Sequence, residues 1–174
     1  MKHLVFWFDP TVPACGAAFE QLPQWLEGLS FEVSYRPVWL AALDSAAPDL
    51  AAPSQASSHA LPLLRLLLAC ADEPGGLSRR VCEAVLRHAG TARQVGSNPT
   101  GPELYAELLR ALAPRLDPAS GAVEQGLRQA NAAAVARGVF DVPTIEVDDQ
   151  AFVGLADLPM LADHLRQADG VPPG

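Results

Sequence analysis

The sequence predicts an α/β fold whose two parts are separated by an all-helical insertion. The prediction rests on a strand–helix–strand pattern at the amino terminus, a middle block of helical patterns, and a closing helix, strand pair and helix. With 174 residues, 49% of them hydrophobic and 18% charged, the chain has enough apolar material for one folded domain. We assign residues 1–40 and 119–174 to the α/β domain and residues 41–118 to the insertion.

The first part is typical of a parallel β-α-β unit. Residues 2–8 are aromatic and β-branched, which indicates a buried strand. Pro13 suits the first position of a helix, because its missing N–H would have no partner there. We expect this helix to reach residue 29, with a kink at Pro23, and a second strand over residues 31–40. A connection of this length makes the two strands parallel.

The insertion begins with residues 44–58, which are rich in Ala, Pro and Ser and are expected to form a loop. Three helical patterns follow, over residues 58–71, 77–88 and 102–112. We expect Gly90 to close the second of these helices, because glycine suits the left-handed residue after a helix.

In the last part of the chain, the spacing of apolar residues changes from helical to strand-like and back again. A long helix over residues 119–137 is expected to stop at Gly138, and residues 142–147 and 150–153 then form a hairpin. A helix over residues 158–165 closes the fold, and residues 171–174 are expected to fray. This order of elements is that of a thioredoxin-like fold with a helical insertion between its halves.

Charge and segment composition exclude several classes of function. Twelve basic residues against 20 acidic ones leave a net charge of −8, which opposes sequence-independent nucleic-acid binding. The apolar run near residues 61–70 is too short to span a bilayer and contains Arg65. The amino terminus lacks the features of a signal peptide, so we expect a cytoplasmic protein. Abundant arginine and alanine indicate a GC-rich bacterial genome.

The three cysteines form no C-x-x-C pair and no metal-ligand spacing with the four histidines, so we expect no metal site. Cys15, at the start of the first helix, has two interpretations. A helix amino terminus lowers the pKa of a thiol, which would make Cys15 reactive. The alternative is a small buried apolar residue. Cys70 and Cys82 lie on apolar helix patterns and are expected in the core.

Three segments are specific enough to indicate a family. They are residues 6–23, which begin FWFDPTVPAC, residues 134–158, which include GVFDVPT, and the short segment Tyr35-Arg36-Pro37-Val38. They resemble the DsbA-like superfamily, and within it the 2-hydroxychromene-2-carboxylate isomerases and the kappa-class glutathione transferases. The resemblance implies glutathione as cofactor, a small aromatic substrate and a cis peptide bond before Pro143. Members are often dimers, so a homodimer is an assembly to test.

The same resemblance implies a glutathione site at the start of the first helix. The residues implied to bind glutathione are Pro13, Val142, Pro143, Gly154 and Leu155. The backbone of Val142 would pair with this peptide, and the amide of Leu155 would bind its γ-glutamyl carboxylate. Thr11 and Cys15 are the candidate catalytic groups.

Three positions depart from the pattern of these relatives. Val12 stands where the isomerases and transferases have the serine that hydrogen-bonds the glutathione thiolate, and where the oxidoreductases have their nucleophilic cysteine. Ala156 and Asp157 stand where relatives have an aspartate and an arginine. Loss of a charge-assisted hydrogen bond costs about 1.5–3 kcal/mol.

Three functions follow as hypotheses. The leading one is glutathione-dependent cis–trans isomerisation of an aromatic-degradation intermediate, in which a thiolate adds to a conjugated carbonyl compound, a bond rotates and the thiol leaves. The others are a thiol–disulfide oxidoreductase that uses Cys15 and a non-catalytic binding protein. Trp39 and His59, near the expected cleft, are lesser candidates, as is Asn131, which matches an asparagine often seen at that place in the family; each has a structural explanation too.

Overall fold

The computed structural model describes residues 2–43, 59–72 and 76–168, so the predicted loop at 44–58 and tail at 171–174 lie outside it. The strands are β1 (Lys2–Phe8), β2 (Phe31–Pro37), β3 (Thr144–Val147) and β4 (Gln150–Val153). The helices are α1 (Pro13–Trp25), α2 (Leu40–Leu43), α3 (Ala60–Ala69), α4 (Arg79–Gln94), α5 (Pro102–Leu112), α6 (Gly121–Ala136) and α7 (Leu158–Ala168). Among these residues, no helix is both long and apolar enough to cross a membrane.

The two predicted parts form one mixed sheet with the strand order β2-β1-β3-β4. β1 and β2 are parallel, as the long connection between them predicts, and Phe6 pairs with Tyr35 in their register. β3 runs antiparallel to both β1 and β4. The carboxyl end of β1 therefore leads into α1 beside the loop that precedes β3. The expected thioredoxin-like arrangement is confirmed.

Aromatic packing places α1 against one face of the sheet. The rings of Phe6 and Phe19 meet edge to face with centroids 6.3 Å apart, and Tyr35 lies 5.5 Å from Phe19. All three side chains are buried. Such pairs contribute about 0.5–1.5 kcal/mol beyond the area they bury. This cluster holds the start of α1 at a constant position relative to β1 and β2.

The opposite face of the sheet carries a buried polar cluster. Trp7 alternates with Phe6 and Phe8, so its side chain lies on the other side of β1. Its indole Nε1 donates to Glu146 Oε2 at 2.6 Å, and Arg137, the residue that follows α6, donates to the same oxygen at 2.8 Å. This cluster ties the end of α6 to the sheet.

Several predicted boundaries shift in the structure. α1 ends at Trp25 rather than near residue 29, and the second strand ends at Pro37, after which α2 begins at Leu40. Gly138 has a φ of 76°, which confirms the left-handed stop after α6. Ser120 caps that helix by accepting a hydrogen bond from the amide of Val123 at 3.4 Å.

The expected end of α4 at Gly90 is wrong. The helix continues through Gly90 to Gln94, and the left-handed glycine that follows it is Gly96, with a φ of 66°. The helix continues because its buried face does: Ala89 and Ala92 extend the apolar side beyond the predicted end. Gly90 therefore lies inside a helix, and closing the helix does not explain why a glycine stands at this position.

Candidate functional site

Asp9 holds together the two loops that border the start of α1. Its Oδ1 accepts hydrogen bonds from the Thr11 amide at 2.9 Å and the Thr11 hydroxyl at 2.6 Å. Its Oδ2 accepts from the amide of Leu40 at 3.1 Å. Burial raises the pKa of this carboxyl, and the hydrogen bonds from Thr11 and Leu40 oppose that rise. Asp9 was not among the site residues that the sequence predicted.

The hydroxyl of Thr11, a predicted catalytic group, already donates a hydrogen bond to Asp9. Because its proton is donated to Asp9, it cannot at the same time donate to a bound thiolate. The carbonyl of Thr11 accepts a hydrogen bond from Nη2 of Arg93 at 2.8 Å. Thr11 therefore links the buried carboxylate to a cation on α4.

The start of α1 offers few donors. Val12 is the N-cap residue and its side chain makes no capping hydrogen bond, while Pro13 at the first helical position has no N–H. The amide of Cys15 donates to the carbonyl of Val12 at 3.0 Å. The amide of Ala14 makes no hydrogen bond to a described residue, which leaves it available to a ligand.

Of the two interpretations of Cys15, the structure agrees with the small buried residue and not with the reactive thiol. Its side chain has no exposed surface, and burial raises the pKa of the thiol to about 12. A hydrogen bond with the backbone of Asp9 lowers this pKa, and the charges of Asp9 and Asp141 raise it. Desolvation is the largest of these effects because Cys15 is part of the buried core. Cys82 is equally buried, with its pKa raised to about 12, and Cys70 is half-buried.

The loop before β3 approaches the start of α1. The bond between Val142 and Pro143 is cis, as the resemblance implies. The amide of Val142 donates to Asp141 Oδ1 at 2.7 Å, so this N–H is occupied. The carbonyl of Val142 accepts no hydrogen bond from the described residues and remains able to pair with a peptide.

The turn after β4 completes this end of the fold. Gly154, with a φ of 75°, donates its amide to the carbonyl of Pro143 at 2.8 Å. The residues Leu155–Asp157 then form a 3₁₀ turn that packs on α1. Asp157 accepts a hydrogen bond from the amide of Val153 at 2.8 Å, so it fastens the turn. The side chain of Leu155 is exposed, and its amide makes no hydrogen bond to a described residue.

A cleft of about 480 Å³ lies between α1 and α4. Val12, Phe19 and Leu86 contribute apolar lining. Three arginines of α4 also line it, namely Arg79, Arg87 and Arg93. A smaller cavity of about 220 Å³ is lined by Thr11, His59 and Arg93, among others. Arg93 thus belongs to both cavities.

The three arginines are held differently. The guanidinium of Arg79 lies 4.4 Å from the ring centre of Phe19 and donates to the hydroxyl of Tyr35 at 3.3 Å. Arg87 pairs with Glu83 one turn away. Arg93 donates to the carbonyl of Thr11 and makes no other side-chain hydrogen bond or ion pair with the described residues, so most of its five N–H donors are free for a ligand.

These arginines were missed in the sequence analysis, although a signal was present. α4 contains four arginines and one glutamate. The whole chain has a net charge of −8. A helix of opposite charge in an acidic protein indicates a surface that attracts anions.

The lesser candidates make hydrogen bonds within the fold, although the side-chain N–H groups of Trp39 and Asn131 have no partner among the described residues. His59 Nδ1 lies 3.1 Å from the hydroxyl of Thr100, and Asn131 Oδ1 accepts from the amide of Trp39 at 3.0 Å. Trp39 and Asn131 are both buried. Within the described ranges, no three His, Cys, Asp or Glu side chains are grouped so that they could hold a metal ion.

The fold is shared with solved structures at low sequence identity. No protein-family model and no curated protein sequence matches this chain. A structure of a 2-hydroxychromene-2-carboxylate isomerase matches with a TM-score of 0.69 and 18% identity, over 98% of this chain and 100% of that chain. The DsbA oxidoreductase of Xylella fastidiosa matches with a TM-score of 0.62 and 18% identity, over 97% and 86%.

A DsbA of Pseudomonas aeruginosa matches with a TM-score of 0.57 and 20% identity, over 97% of this chain and 86% of that chain. These similarities extend over nearly the whole chain, so the chain has the DsbA-like thioredoxin fold with its helical insertion. One fold is thus shared with an isomerase and with oxidoreductases, and the function must be argued from the site.

Proposed function

We propose that this protein binds glutathione at the start of α1 and does not carry out thiol–disulfide exchange. The observation that carries the proposal is the burial of Cys15. Its thiol has no exposed surface and a pKa raised to about 12, at the helix end where an oxidoreductase needs an accessible thiolate. Any thiol chemistry at this site has to come from the ligand.

The described residues fit the peptide part of glutathione. The free amide of Leu155 would hold the γ-glutamyl carboxylate, and the carbonyl of Val142 beside Pro143 would accept from the cysteinyl amide. Arg93 supplies a cation for a carboxylate at the start of α1. Glutathione would supply a thiol when bound.

The residues fit the thiolate of glutathione less well. Val12 has no donor, the hydroxyl of Thr11 donates to Asp9, and the amide of Ala14 is the donor that remains. One amide stabilises a thiolate less than an amide and a hydroxyl together. This arrangement favours binding without strong activation of the thiol, so a non-catalytic binding protein is the function that the geometry supports best.

Glutathione-dependent cis–trans isomerisation is the second candidate. The isomerase structure matches over all of its own length and 98% of this chain. The cleft between α1 and α4 adjoins the start of α1 and has apolar lining for a small aromatic compound. Under this candidate, the residues of the chain orient the two ligands and exclude water, while Thr11 and Cys15 take no part in proton transfer.

Calorimetric titration with reduced glutathione at pH 7 tests the proposal. We expect a one-to-one isotherm, and absence of heat at millimolar glutathione would overturn the binding proposal. Iodoacetamide labelling, followed by peptide mass spectrometry, tests the redox part. We expect Cys15 to stay unlabelled in the native protein and to react in urea. Rapid native labelling of Cys15 would restore the oxidoreductase hypothesis.

A further inference from the structure

Two glycines lie inside helices where neither the backbone nor the packing requires them. Gly16 in α1 and Gly90 in α4 do not have positive φ angles. A Cβ atom built on either residue would have no heavy atom within 4 Å apart from its immediate surroundings in the helix. Glycine is disfavoured inside helices relative to alanine. Both residues thus weaken their helices with no local benefit.

The open space beside both glycines adjoins one cleft. Gly16 and Gly90 both line the cleft of about 480 Å³ between α1 and α4. Gly126 inside α6 is different, because its Cβ would lie 4.0 Å from Leu68 Cδ1 and so reach ordinary packing distance. Side chains at positions 16 and 90 would occupy space that the cleft now offers to a ligand.

Three arginines and two glutamates, Glu20 and Glu83, line the cleft, so its lining has one more cation than anions. Arg79 is fixed against Phe19 and Arg87 is paired with Glu83, while Arg93 keeps donors free at the end next to Thr11. Val12 and Leu86 contribute apolar surface between the helices. An apolar group with an adjacent anionic part matches this arrangement.

We propose that Gly16 and Gly90 are specificity-determining residues that set the width of the α1–α4 cleft for the apolar part of the ligand. Arg93 then holds the anionic part beside the start of α1. The inference rests on the proposed function, because glutathione bound at the start of α1 would place a group attached to its sulfur at the mouth of this cleft.

Three variants separate this role from an effect on the fold. Gly90→Leu fills the cleft, whereas Gly90→Ala restores helix propensity with little bulk. Gly121→Leu is the matched control, since Gly121 also has open space around its Cβ but lies outside the cleft. We expect the melting temperature of Gly90→Ala to exceed that of the native protein, and circular dichroism to be unchanged in all three.

Calorimetry with glutathione and S-benzylglutathione is the first readout. We expect the native protein to bind the benzyl conjugate more tightly than glutathione, and Gly90→Leu to weaken the conjugate at least tenfold while glutathione changes less than twofold. Gly121→Leu should match the native protein for both. Equal affinity of Gly90→Leu and the native protein for the conjugate would overturn the inference.

Anilinonaphthalene sulfonate, an apolar anion that does not depend on glutathione, is the second readout. We expect its fluorescence to rise with the native protein and with Gly121→Leu but not with Gly90→Leu. If this fluorescence pattern is observed but calorimetry detects no glutathione binding, the role of Gly90 is supported and the proposed function is rejected. No rise with the native protein, or an equal rise with Gly90→Leu, would overturn the role of the glycines.

Discussion

Arg93 donates a hydrogen bond from Nη2 to the carbonyl oxygen of Thr11 at 2.8 Å, across 82 positions of sequence. The carbonyl belongs to the residue before the N-cap of α1, so the guanidinium is held at the positive end of that helix. Two sources of positive potential are thereby combined at one point. This relationship is the basis of the proposed anionic ligand.

Replacement of Arg93 by glutamine should weaken glutathione binding by about tenfold or more, since a hydrogen bond to a charged group is worth about 1.5–3 kcal/mol. Calorimetry at low and high salt measures the effect, and the native affinity should fall more with salt than that of the variant. Arg80→Gln is the control, because Arg80 is exposed on the same helix and does not line the cleft. Equal losses for the two variants would contradict a specific role of Arg93.

Stability should fall at alkaline pH because of the buried thiols. Cys15 and Cys82 have pKa values raised to about 12, against 9.0 for an ordinary thiol. Between these values the unfolded chain has lost protons that the native state keeps, so the free energy of unfolding decreases as pH rises. The limiting slope is about 1.4 kcal/mol per pH unit for each thiol.

Urea denaturation from about pH 8 to pH 10 measures this slope. The double variant Cys15→Ala, Cys82→Ala provides the comparison, because it retains every other titrating group. We expect the native protein to lose more stability over this range than the variant does. Parallel pH profiles would show that the two thiols are accessible to solvent in the native state.

Asp9→Asn should destabilise the protein by about 1–3 kcal/mol at pH 7, the usual cost of leaving a buried polar group without its partner. The carboxylate accepts from the amides of both Thr11 and Leu40 and from the hydroxyl of Thr11. An asparagine side chain has one acceptor oxygen, so one of its N–H groups would face a donor. Urea denaturation gives the loss, and Asp149→Asn, at an exposed turn, is the control.

Glu146→Ala should cost about 1–3 kcal/mol, because it leaves the buried indole N–H of Trp7 without its acceptor. Arg137→Ala should cost less, since the Arg137 side chain is 53% exposed and the Trp7 bond survives. Denaturation midpoints of the two variants measure the difference. A larger loss for Arg137→Ala would contradict the assignment of the buried carboxylate as the central group.

The sequence by itself determined the order and type of the elements. The apolar run of β1, the hairpin of β3 and β4 and the stop of α6 at Gly138 depend on local patterns and local backbone conformation, which neighbouring residues encode. The cis bond before Pro143 followed from the resemblance of its loop to a known family. These features could be predicted because few of them require contacts between distant residues.

Only the tertiary structure decided the chemistry of the site. The direction in which Cys15 points depends on how α1 packs on the sheet, and that packing buries the thiol and raises its pKa. Asp9 and Arg93 have hydrogen-bond partners on other segments of the chain. The proposed role of Gly90 depends on a cleft whose other side is formed by α1. Desolvation and hydrogen bonding depend on three-dimensional neighbours, which residue spacing along the chain does not specify.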